Sequence, residues 1–97
     1  MTIKKINLNE IEDLLKKIVE SSTQIKIFKE ENEDITESLN SNEMKFKSGK
    51  ISNDVYNDIK NNLKKEKKLL ENKISENKNN ILVISKKLSE NIVNSKI

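Results

Sequence analysis

The chain holds one glycine and no proline in 97 residues, and that glycine, Gly49, stands at its midpoint. A polypeptide without internal breakers can run as long helices, and a lone central glycine marks where it can reverse. Residues 47 to 54 carry the other signals of a tight helix reversal. Gly49 falls where a left-handed C-terminal cap belongs, with Lys45 and Lys47 in the preceding turn facing the negative helix end. Ser52 is placed as the N-cap of the return helix and Asp54 lies in its first turn. Ile51 and Tyr56 occupy the two places of a hydrophobic staple.

Helical spacing fills both arms. Steps of three and four connect Leu8, Ile11, Leu15, Ile18, Ser22, Ile25, Phe28, Asn32, Ile35, Leu39, Asn42 and Phe46. Asn9 and Glu12 form a capping-box pattern, although Ile3 and Ile6 allow an earlier start. The return arm repeats through Ile59, Leu63, Glu66, Leu70, Ile74, Asn77, Ile81, Ile84, Leu88 and Ile92, with Ile59, Leu70, Ile81 and Ile92 each eleven apart, a spacing that implies little left-handed supercoil. Asn77, Asn79 and Asn80 mark a place where that helix could kink. The fold predicted is all-α: a single domain over residues 1–97, with helix one over about 3–47, a turn at 48–51 and helix two over about 52–96. In an antiparallel pair facing residue numbers add to a constant, here 99, so that Ile25 faces Ile74, Ile18 faces Ile81, Leu15 faces Ile84 and Ile11 faces Leu88.

Charge divides along the chain. Residues 1–43 hold six Lys against ten acids, and 44–97 hold thirteen against six, within a net charge of +3. Opposite charges on antiparallel helices favour pairing, at about 0.2–1 kcal/mol for each exposed pair.

Two helices bury one seam and no globular core, so the hairpin is expected to be completed into a bundle by copies of itself or by other chains. The apolar density concentrates at the end opposite the turn. Ile11, Leu14, Leu15, Ile18 and Val19 on helix one, with Ile81, Leu82, Ile84, Leu88 and Ile92 on helix two, form the expected partner interface, and Val83 and Val93 widen it.

Catalytic chemistry is poorly supplied. Histidine and cysteine are absent, which removes Ser-His and Cys-His nucleophile pairs and the usual zinc ligand sets. Glu30, Glu31, Glu33 and Asp34 splay around a helix axis instead of converging, and no Gly-rich phosphate loop exists. The expectation is a non-enzyme without cofactor or metal. Lys60, Lys64, Lys65, Lys67 and Lys68 could touch an anionic membrane surface. The lack of Arg and the three aromatics disfavour nucleic acid. No apolar run approaches the roughly 18–20 residues that span a bilayer, and the N-terminus lacks an apolar signal core. The expected location is cytoplasmic, at most peripheral to a membrane.

The stretch from Lys45 to Tyr56 resembles the hairpin corner of ESCRT-I core subunits, the Mod(r) hairpin and the steadiness box. Phe46, Gly49, Ile51 and Tyr56 fill the aromatic, glycine, aliphatic and aromatic places of that corner. The resemblance implies a small core subunit packed beside sister subunits in a fan-shaped headpiece, within a membrane-remodelling and ubiquitin-linked sorting machine. The Lys, Asn and Ile bias suits an archaeal, Asgard-like version. The helical hairpins of the WXG type in type VII secretion share this length and shape, but no Trp precedes Ser48-Gly49. A free-standing homo-oligomeric coiled-coil adaptor or chaperone is the other alternative.

Overall fold

The computed structural model describes residues 8–94. It is an antiparallel hairpin of two helices, α1 (Leu8–Lys47) and α2 (Asn53–Asn94). The rod measures 78 × 14 × 14 Å. The helix ends expected at residues 3 and 96, and the side chain of Val93, lie outside the described residues. Asn9 sits inside α1 and not ahead of it.

The turn is built from backbone geometry. Gly49 takes φ of 76°, the left-handed region, and the Lys50 N–H donates to Lys45 O at 2.9 Å while the Gly49 N–H donates to Phe46 O at 3.0 Å. That pair of bonds is a Schellman cap. The Ser48 hydroxyl adds a bond to Lys45 O at 3.1 Å, and Lys47 pairs with Glu43 at 3.3 Å. Ser52 then opens α2: its hydroxyl accepts from the Val55 N–H at 3.2 Å and its carbonyl from the Tyr56 N–H at 2.9 Å. Across the corner the Phe46 and Tyr56 rings stack at 4.3 Å and 14°, and Lys60 Nζ lies 5.4 Å from the Tyr56 centroid. A Cβ on Gly49 would meet nothing within 4 Å, so its cost is purely one of backbone angle. Gly49→Ala is expected to lose about 1 kcal/mol, read as a lower thermal midpoint with unchanged helix content.

The seam follows an unbroken heptad. The buried and half-buried residues of α1 are Ile11, Leu14, Ile18, Ser21, Ile25, Phe28, Asn32, Ile35, Leu39, Asn42 and Phe46, in steps that alternate three and four. Those of α2 are Tyr56, Lys60, Leu63, Lys67, Leu70, Ile74, Asn77, Ile81, Ile84, Leu88 and Asn91. This corrects several expectations. Leu14 and Ser21 take the inward places assigned to Leu15 and Ser22, while Leu8, Leu15, Ile59, Glu66 and Ile92 are exposed. The repeat is seven and not eleven, the spacing that favours a left-handed supercoil.

The register shifts accordingly. Taken in order, the two inward sets pair so that residue numbers add to 102 in every layer, not 99. Phe46 stacks on Tyr56 in one such layer, and at the open end Asn91 Nδ2 donates to Glu10 Oε1 at 3.2 Å. Ile18 therefore faces Ile84, and Leu14 faces Leu88.

α2 runs straight through Asn77, Asn79 and Asn80. Asn77 Nδ2 donates back to Lys73 O at 2.9 Å, keeping its amide on the helix, and Ile74 and Ile81 hold the seam on either side. Polar residues thin the core elsewhere. Asn42 is buried and donates to Tyr56 O at 3.1 Å, yet its Oδ1 and that of half-buried Asn32 are enclosed without a partner. The apolar side chains buried most deeply are Leu14, Ile35, Leu70 and Ile74.

Candidate interaction surface

With heptad letters a and d on the seam, Ile11 is an a and Leu14 a d in α1, and Lys60 is an a and Leu63 a d in α2. Positions e and b of both helices share one flank of an antiparallel pair, and g and c share the other. The surface grooves agree: Asn40, Glu43 and Lys64 line one together, whereas Glu31, Asp34, Glu66, Leu69 and Lys73 line another on the opposite side.

The ten residues expected to meet a partner divide between two places. Ile11, Leu14, Ile18, Ile81, Ile84 and Leu88 belong to the seam, where they are buried or half-buried against the other arm. They hold the hairpin closed and do not form a free face. Leu15, Val19, Leu82 and Ile92 are exposed, and all four lie on the e/b flank. Leu8, read from spacing as a core residue, joins them. Leu8, Val19 and Leu82 are 67%, 64% and 69% exposed, and Leu15 and Ile92 just under half. Between them stand Ser22, Ser85 and Ser89, and from Leu8 to Ser22 and Leu82 to Ile92 the flank carries one charge, Glu12.

The opposite flank differs. Its exposed apolar residues, Ile27, Val55, Ile59, Leu69 and Val83, are spread along the rod among Lys17, Glu20, Glu31, Asp34, Glu66 and Lys73. A cluster of apolar side chains rimmed by serine, against a charged reverse side, is the distribution of a docking face.

The five lysines of helix two do not share a face. Lys60 and Lys67 are half-buried in the seam, Lys64 and Lys68 lie on the e/b flank, and Lys65 points away from the seam. Among the described residues no group of three or more carboxylates is placed to hold a metal ion, and no helix is long and apolar enough to cross a membrane. No family model, curated protein or solved structure matches the chain.

Proposed function

We propose that this chain is a non-enzymatic assembly subunit that docks partner helices along the e/b flank at its open end, in an ESCRT-I-like membrane-remodelling or sorting complex. The observation that carries the docking is the flank itself: five exposed aliphatic side chains, small serines between them and a single carboxylate. A helix laid there buries this surface with only one charge, Glu12, to pair or leave in water. A two-helix rod with few deeply buried side chains also gains stability from such a partner. The ESCRT-I-like part rests on the corner. Phe46 and Tyr56 stack across a turn whose left-handed residue is Gly49, and these are the residues that carry the resemblance. In this reading the protein works in the cytoplasm, peripheral to a membrane.

Leu15→Asp with Val19→Asp places two carboxylates on the flank and spares the seam. Capture of co-expressed helical partner subunits should fall at least about tenfold, because each carboxylate buried without a partner costs more than the roughly 1.4 kcal/mol that a factor of ten represents. Ile27→Asp, on the opposite flank, should leave capture unchanged. Equal losses from the two variants, or none from the first, would show that the flank is not the docking face.

A further inference from the structure

We propose that the occupant of the e/b flank is a second copy of this chain, packed side by side with both turns at the same end, so that two hairpins form a four-helix bundle. The inference rests on the reading that this flank docks helices, and goes further by naming what docks.

A two-fold axis along the rod sets α1 of one copy against α2 of the other at equal height. Because layer numbers add to 102, Leu15 then falls between Ser85 and Ser89 of the second copy, and Val19 falls against Leu82. Leu15 enters a gap left by two serines while Val19 and Leu82 pack aliphatic on aliphatic, a shape that fits itself. Toward the turn the same rotation brings Lys29 beside Glu71, Glu33 beside Lys68 and Lys47 beside Asp54, against two adverse juxtapositions, Lys26 with Lys78 and Glu33 with Glu71. Each of these pairs occurs twice in the dimer.

The competing arrangements lack this match. On the g/c flank the same rotation sets Glu10 and Asp13 by Glu90, Lys17 by Lys87 and Asp34 by Glu66, four adverse juxtapositions against two favourable ones, Asp13 by Lys87 and Glu31 by Lys73. A two-fold axis across the rod brings the two aliphatic patches together only when it passes through the open end, and then leaves the charges near the turn unmatched. Along the rod, helices about 60 Å long present a face 14 Å wide, roughly 800 Å² per copy, the size per partner of a standard stable interface.

Light scattering on the full chain should give twice the 11.3 kDa chain mass. Lys68→Glu should weaken the dimer about tenfold, since a twice-repeated attraction to Glu33 becomes a repulsion, and adding Glu33→Lys should restore it. The chain has no cysteine, so a spin label on Ser48→Cys reports the turn alone. Two labels about a bundle width apart support the arrangement; labels separated by at least the 78 Å rod length overturn it. A monomer at every concentration also overturns it, as does a charge-reversed pair that fails to recover. If the chain is monomeric and Leu15→Asp with Val19→Asp still abolishes partner capture, the docking reading stands and this inference alone falls.

Discussion

Ile74→Asp is expected to leave the chain without measurable helix at room temperature. Ile74 is among the four most deeply buried apolar side chains, its layer partner is Phe28, and Leu70 lies one turn before it. Truncating such a residue typically costs about 2–5 kcal/mol, and enclosing a carboxylate there adds a desolvation cost of several more. A domain of this size has only about 5–15 kcal/mol in total, and a hairpin with one seam sits at the low end. Leu82→Asp, equally drastic in chemistry but on the exposed flank, should keep its helix content. The comparison is made by circular dichroism under conditions where the unaltered chain is folded. A full helical signal from Ile74→Asp would mean that the seam does not hold this molecule together.

Asn32→Leu should act in the opposite direction. Asn32 is half-buried in the layer of Leu70, its Oδ1 is enclosed with no donor, and it is a polar insertion in an apolar stretch between Phe28 and Ile35. An unsatisfied buried amide oxygen costs about 1–3 kcal/mol, so replacing the side chain with leucine should raise stability by roughly 1–2 kcal/mol, or about 5–15 °C in Tm. The gain should come with a loss of uniqueness, seen as additional oligomeric species in light scattering, because a buried Asn at an a position disfavours other registers. Asn42→Leu should gain less, since it forfeits the bond from Nδ2 to Tyr56 O. A lower Tm for Asn32→Leu would show that its carbonyl is satisfied by water in solution.

The two-helix hairpin was legible in the residues because its signals are local: one glycine, a serine cap, and lysines at the helix end. The inward face was less legible. Spacing of three and four can be threaded through Leu15 and Ser22 or through Leu14 and Ser21, and the expectation followed the first. The strict alternation through Leu14 and Ser21 was also present, and it continues without a break to Phe46. Serine stands at both 21 and 22, so residue type could not tell which of the two faces inward. On α2 the same masking came from Lys60 and Lys67, which occupy seam positions while Ile59 lies outside them. Lysine can line an apolar seam with its stem, and Lys60 brings its ammonium to the Tyr56 ring. A residue type therefore did not report its direction here. Six of the expected surface residues fall in the seam for the same reason: a register that is off by one helical neighbour exchanges seam residues with flank residues.

The uninterrupted seven-residue repeat has a geometric consequence for whatever docks. Forty residues of α1 rise about 60 Å, and a two-stranded coil of this kind completes a turn in roughly 150 Å. The flank is thus a screw thread covering about two-fifths of a revolution between the corner and the open end. A straight rod laid on Leu15 and Val19 would diverge from it before reaching Glu33 and Lys68. Only a chain wound with the same hand and pitch can stay in the groove, so the thread discriminates among partners by their periodicity before any side chain is compared.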